Sequence, residues 1–442
     1  MMETIKAVFK NKSVMNKILF TMLVFLVYRL AVYIHIPLID RDEVSAIFTE
    51  PTGFLGIMDA FTGSALSNLS IIALGIGPYI TASIVMQLLQ MDIVPKLKEW
   101  SEEGETGKRK INQITRYLAI GLAFVQALGM IIGFHMTSPG LFDRVAVGTP
   151  DFLTYTYLAL VMTAGTAFLL WLADLITQKG IGNGTSMIIV AGIVSGIPAM
   201  FATLGRDYLF GEDANIASYA TYGLIIITYV AVLLGVTYMQ SATRNIPVQY
   251  SNRSTAAKTR GKQDSSIPLK INSAGVIPVI FAVTILSLPQ TLFAFLPAFQ
   301  NPNQMGVGAT WLMEVFDYTR PAGLVVYATL IIVFTFFYSF VQINPEKMSK
   351  RLQKQNAYIP GIRPGLETEN YISKLLFKIT IIGALYLVVV ALMPIILAMA
   401  FDLPTYVQIG GTSLLIVVGV AIETTKQIKT DVQGKSYTGF IR

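Results

Sequence analysis

Residues 73–89 read ALGIGPYITASIVMQLL and residues 274–290 read AGVIPVIFAVTILSLPQ. Both are apolar, free of Asp, Glu, Lys and Arg, and opened by glycine and proline. Helix breakers at matching places in two apolar runs are the mark of interrupted spans around a central pathway. Searching outward for runs of about 18 or more apolar residues gives ten predicted spans. They are 18–36, 74–91, 114–134, 153–173, 184–203, 217–238, 274–297, 322–342, 376–400 and 406–424. The first is read as a retained span. Its apolar run is too long for a signal peptide, and no small-residue cleavage site follows Tyr33. The two quoted runs open the second span of each group of five. Five is odd, so the two groups cross in opposite senses. The predicted fold is an all-α polytopic membrane protein with ten transmembrane helices in two inverted, pseudo-symmetric halves, spans 1–5 and 6–10.

Composition agrees. Of 442 residues, 53% are hydrophobic and 13% charged, against roughly 25% charged in a soluble domain. A water-exposed chain of this balance would carry large apolar patches and aggregate. With 25 Phe, 20 Tyr and no cysteine, the chain is neither disordered nor a disulfide scaffold.

Lys and Arg set the topology, because translocating them is disfavoured. With residues 1–17 placed inside, 28 of the 33 Lys and Arg fall on the inner side. Only Arg41, Arg144, Arg206 and Arg320 fall outside, and Arg29 lies within the first span. Both termini, 1–17 and 425–442, are therefore expected to be cytoplasmic. The N-terminal half covers 18–203 and the C-terminal half 204–424, the latter with long basic cytoplasmic loops at 240–272 and 343–373. The net charge of +7 is explained by this asymmetry and needs no DNA or other nucleic acid. Residues 53–72, GFLGIMDAFTGSALSNLSII, are apolar but broken by glycine and serine. They suit either a re-entrant half-helix packed inside the protein or an amphipathic loop on the outer surface.

Catalytic chemistry finds no footing. His35 and His135 sit near outer span ends and read as interfacial residues. No HExxH, GxSxG or paired intramembrane carboxylate is present, and no metal or cofactor is expected. Residues 180–184, GIGNG, lack the Lys-Ser/Thr of a phosphate loop and follow a span rather than a strand, so they read as a tight turn. A coupled small-solute transporter is the alternative, but such proteins place ionisable residues at mid-membrane. Arg29 lies about 10 Å from the outer end, at 1.5 Å per residue, close enough to snorkel. Spans nearly free of charge suit a conduit that must not leak ions.

Six stretches carry a family resemblance: 73–89, Trp100–Tyr117 (WSEEGETGKRKINQITRY), Gly180–Ile193 (GIGNGTSMIIVAGI), Pro268–Ala282 (PLKINSAGVIPVIFA), Asn344–Gly365 (NPEKMSKRLQKQNAYIPGIRPG) and Gly410–Val418 (GGTSLLIVV). In order and together with ten spans, they resemble the SecY/Sec61-alpha family. The resemblance implies a protein-conducting channel of the bacterial plasma membrane. Such a channel passes unfolded secretory proteins across and releases transmembrane helices sideways into lipid. It implies a central pore between the halves, a plug helix at about 53–72, and a lateral gate between spans two and three and spans seven and eight. It further implies a passive channel driven by the SecA ATPase or the ribosome. SecE, SecG, secretory preproteins with their signal sequences, and membrane lipids complete the implied partners.

The pore ring carried over by motif is Ile80 and Ile84 in span two, Ile189 in span five, Ile280 in span seven and Ile416 in span ten. Aliphatic rings suit the task, since they carry no charge, resist wetting and yield laterally. Thr185 departs from the aliphatic pattern at one ring position, and Gly77 stands where methionine is common. Gln126, an amide among apolar neighbours in span three, wants a partner across an interface and is expected at the gate seam. On the inner side, Pro360-Gly361 and Pro364-Gly365 flank Arg363 and favour a rigid projecting turn. Arg363 with Arg244, Arg253, Lys258 and Arg260 would present a basic face to a large partner, in the family SecA or the ribosome.

Overall fold

A computed structural model describes residues 11–39, 59, 62–90, 93–137, 152–210, 215–250, 265–295, 307–318, 320–401 and 405–437. Every predicted span is a helix: α1 (Lys12–Val32), α2 (Gly77–Leu89), α4 (Glu105–Thr137), α5 (Phe152–Lys179), α6 (Gly184–Tyr208), α7 (Ile216–Ser241), α8 (Ile277–Phe295), α10 (Pro321–Gln342), α12 (Leu366–Ala400) and α13 (Thr405–Tyr437). Between them lie the short helices α3 (Pro95–Glu102), α9 (Val307–Phe316) and α11 (Pro345–Lys354). Seven of the ten are long and apolar enough to cross a membrane by themselves. On α1, Leu19, Met22, Leu23, Leu26 and Leu30 remain about 60% exposed, an outward apolar face suited to lipid.

The helices fall into two groups. In the first, α4 packs on α2 and α5, and α5 packs on α1 and α6. In the second, α12 packs on α10 and α13, α8 on α10, and α7 on α13. The groups meet along two seams, α8 against α2 and α4, and α6 against α7 and α13. The internal echo read from the sequence extends to the backbone. Gly75 and Gly275 both take left-handed φ, +58° and +67°, and a helix starts two residues after each. A residue with a Cβ is strained in that conformation, which is why glycine stands at both places.

Two features depart from the expected outline. Helices α4, α12 and α13 outrun their apolar runs at the end where α1 begins, the end at which Lys17 meets Asp431, and α13 continues through most of the expected tail to Tyr437. About 20 residues suffice to cross the hydrocarbon, so the remainder stands in water. The two long basic loops are also not independent connectors. Strand β1 (Thr243–Tyr250) pairs antiparallel with β2 (Ser265–Lys270), Ile246 opposite Ile267, and on its other side with β3 (Ala357–Tyr358). Ile246, Val248, Leu269, Leu352, Ile359 and Ile372 form one buried cluster under this sheet, at the base of α12. The alternation that drives it, Ile246 and Val248 buried between exposed neighbours, is short enough to be lost among the charges.

The chain between α1 and α2 is buried, not spread on the surface. Ala65, Leu66, Ile72 and Ala73 are fully buried, packed with Ala123, Ala127, Leu158 and Met162 of α4 and α5 or with Leu169 and Ile176 of α5. This excludes the amphipathic surface loop. Gly165 of α5 makes the contact possible, because a Cβ there would lie 1.8 Å from the Ile71 carbonyl oxygen. Gly165→Val should therefore lift the segment while sparing the helices, at about 1–3 kcal/mol of overpacking. Ser70 is fully buried and the chain has no native cysteine, so a Ser70→Cys thiol reports the change. Its maleimide reactivity in detergent should rise sharply in the Gly165→Val background. Unchanged reactivity and an unchanged Tm would contradict this packing.

Candidate functional site

Residues 62–76 form the site's centre. Thr62 and Asp59 are helical, but 63–76 is a chain of turns, so among the described residues the expected half-helix is not seen. Residues 53–58, 60 and 61 of the expected plug lie outside the described residues. The reason is local: Gly63, Ser64, Leu69 and Gly75 all take positive φ, and each interrupts an i→i−4 ladder. Part of the backbone is paired by short turn bonds within the segment, such as the Gly75 amide to the Ile72 carbonyl at 2.8 Å, and the rest finds partners elsewhere, as it must away from water. The Ile36 amide donates to the Leu69 carbonyl at 3.0 Å, and the Ile71 amide donates to the Ile34 carbonyl at 2.9 Å. The Ser67 amide donates to Asp59 Oδ1 at 2.7 Å, and the Ser64 amide to the Asp59 carbonyl at 3.0 Å.

Helix α1 supplies two more partners. Tyr28 Oη donates to the Thr62 carbonyl at 2.7 Å. One guanidinium nitrogen of Arg29 donates to the Gly63 carbonyl at 2.7 Å and to Ser195 Oγ of α6 at 3.3 Å. The other donates to Tyr33 Oη at 3.2 Å, with the guanidinium carbon 5.2 Å from that ring's centroid. Arg29 thus does more than snorkel: it turns inward to a segment that the sequence alone did not connect with it. An arginine in an apolar span was the available signal.

Three of the five predicted ring residues meet in one cluster, and Ile80 and Ile84 of α2 pack into adjoining ones. Ile189 and Ile280 pack on a cluster of Ile193, Ile416 and Val420, bringing α6, α8 and α13 together. Ile80 borders both the cluster containing Ile188 and the one containing Ile84 and Val279. Ile84 and Ile416 are buried, whereas Ile80, Ile189 and Ile280 are partly exposed. Thr185 stands in the first turn of α6, and its hydroxyl donates to Asn183 Oδ1 at 2.8 Å. Its polarity is spent on the Asn183 cap, which also accepts from the Thr185 amide at 3.1 Å. Gln126 is half-buried on α4, the helix that lines the seam with α8.

Beyond the membrane, Arg363 and Arg244 are exposed on the sheet-bearing body. The Arg363 turn is braced, since Thr368 Oγ1 donates to the Arg363 carbonyl at 2.9 Å and Ser349 Oγ to that of Gly365 at 2.8 Å. Arg253, Lys258 and Arg260 lie outside the described residues. His35 closes an isolated bridge with Ser70, and His135 stacks edge-on against Tyr155 at 6.1 Å. Among the described residues no three His, Asp or Glu side chains gather as a metal site.

The chain resembles known proteins in sequence and in fold. The chain is 47% identical to the protein translocase subunit SecY of Halalkalibacterium halodurans, over the full length of both chains. Its fold matches that of a SecY channel whose plug domain stabilises the closed state and maintains a membrane seal, with a TM-score of 0.60 at 19% identity, covering 98% of this chain and 96% of that one. It also matches Sec61 in the canine ribosome–channel complex from the endoplasmic reticulum, with a TM-score of 0.59 at 18% identity and the same coverage. The SecY family model matches residues 70–425. With the family model covering most of the chain and a full-length relative at 47% identity, the chain belongs to the SecY family.

Proposed function

We propose that this chain is the pore subunit of a bacterial protein translocase, a channel that passes unfolded secretory proteins across the plasma membrane and delivers transmembrane helices into lipid. The observation that carries the reading is the non-helical segment 63–76, packed inside the first helical group, together with the apolar cluster that joins Ile189, Ile280 and Ile416 next to those holding Ile80 and Ile84. A passive conduit needs both an apolar constriction and a removable seal. Segment 53–72, extended to 76, is the plug in this reading. The halves 18–203 and 204–424 part along the seam of α2 and α4 against α8 to make the lateral gate, with Gln126 facing it. The channel is no enzyme. SecA or the ribosome supplies the energy, SecE and SecG complete the complex, and both termini are cytoplasmic. The coupled-transporter alternative finds no support among the relatives.

Replacing Ile416 by Asn tests the constriction. It removes apolar burial worth about 1–3 kcal/mol from the closed state, which would raise opening roughly 5- to 150-fold. Precursors with defective signal sequences should then be exported better. Unchanged stringency in a normally folded protein would refute the assignment.

Arg363 tests docking. Six other Lys and Arg in 343–378 keep the topology signal intact without it. Arg363→Glu should insert normally yet fail in SecA- and ATP-driven precursor uptake by inverted vesicles. Arg363→Lys should be partly active, since lysine keeps the charge but loses the planar fork. Full export by the Glu variant would leave Arg363 as one more inner charge.

A further inference from the structure

We infer that Arg29 is a positioning residue that latches the plug segment to the first helical group in the closed channel. The inference rests on the reading of 59–76 as the plug. A guanidinium within an apolar span is costly unless satisfied. Every hydrogen-bond partner of Arg29 among the described residues is neutral, and they come from three elements: the Gly63 carbonyl of the segment, Ser195 Oγ of α6, and Tyr33 Oη one turn further along α1's chain. The bond to Gly63 is the shortest, at 2.7 Å, and it is charge-assisted. Beside it, Tyr28 Oη holds the preceding carbonyl, that of Thr62, at 2.7 Å.

The seat is built for this contact. Gly63 is buried, has φ +65°, and lies so close to α6 that a Cβ would stand 2.7 Å from Ser195 Oγ and 2.9 Å from Gly192 Cα. Ser195 Oγ itself donates to the Gly192 carbonyl at 2.7 Å, so its lone pairs face the guanidinium. Arg29 therefore ties α1, the segment and α6 at one point, all within the same helical group. None of these elements belongs to the second group, so the latch does not oppose parting of the α2/α4–α8 seam.

The neutrality of the partners makes the latch reversible. An ion pair broken here would leave an uncompensated carboxylate in a low-dielectric site. When the Gly63 carbonyl leaves, no charge is stranded. Arg29 already lies over the Tyr33 ring at 5.2 Å, and Tyr33 is exposed. The guanidinium can keep that contact and turn its freed nitrogen to the nearby water, a retreat that arginine's long stem permits. Release thus exchanges the Gly63 carbonyl for water while the Tyr33 contact is kept.

The test uses the full chain in its translocon complex, with Ala65→Cys as the sole cysteine. Ala65 is fully buried, and the natural chain has no cysteine. In proteoliposomes, Arg29→Met should raise the rate of Ala65→Cys labelling by an impermeant maleimide roughly 10- to 100-fold, the range that loss of one hydrogen bond to a charged group supplies. Resting ion conductance should rise with it, while Tm and complex assembly stay near those of the parent. Arg29→Gln, which keeps one donor, should rise less and serves if the Met variant does not assemble. Labelling and conductance that stay flat in both variants would overturn the latch and leave the plug reading untouched. Labelling that rises without conductance would support the latch but overturn the segment's role as the seal. A fall in Tm matching the rise in labelling would reduce Arg29 to a general structural residue and overturn the proposal.

Discussion

Backbone amides and carbonyls away from water must find partners, and helices do this for themselves whereas turns do so only in part. In this protein that constraint acts on residues 63–76. Positive φ at Gly63, Ser64, Leu69 and Gly75 denies the segment a helical ladder. Its groups are satisfied partly by short turn bonds within the segment, such as the Ser70 amide to the Ala65 carbonyl at 2.9 Å, and partly by residues 34–36, by Asp59 and by α1. The surrounding helices carry the consequences. Helix α5 presents Gly165 so that the Ile71 carbonyl can approach, and α6 presents Gly192 to the buried Gly63. The first helical group is built around a non-helical insert that it holds but does not incorporate into a helix.

That arrangement separates sealing from opening. The segment is anchored by α1, α5 and α6 together with α4, and of these only α4 also lines the seam that would part, that of α2 and α4 against α8. The isoleucine cluster spans the divide, with Ile189 on α6 meeting Ile280 on α8 and Ile416 on α13. Parting the halves costs apolar contacts, which are non-directional and re-form without register. Displacing the segment costs hydrogen bonds, which are directional and specific. A soft constriction and a specific latch can therefore be tuned independently. Outside the membrane, the sheet and its cluster join 240–272 and 343–373 into one body seated on the base of α12. A force applied at Arg363 would be transmitted to that helix rather than lost in a loop.

The spans were legible because length and apolarity suffice for them, and the echo between 73–89 and 274–290 extended to paired glycine conformations. The isoleucines were legible only through motif, since nothing in an apolar run marks which residue faces a pathway. Which clusters they join is read only from the folded chain. The inner sheet was hidden because Ile246 and Val248 give only two beats of alternation amid charge. The turn structure of 63–76 was hidden for a different reason. Positive φ at Ser64 and Leu69 is imposed by tertiary contacts, and neither residue favours it by itself. Arg29 was visible as an oddity, but its partners lie 34 and 166 residues away, beyond any local reading.

The account's central claim is that segment 59–76, held by the first helical group, seals a pathway lined by aliphatic side chains. Single-channel conductance of the reconstituted complex with residues 58–66 deleted tests it most directly. The deletion removes Asp59, Thr62 and Gly63, and with them the contacts to Tyr28 and Arg29, while leaving every span intact. The account predicts a folded complex with spontaneous ion-conducting openings that the parent lacks. A folded deletion complex as silent as the parent would contradict it.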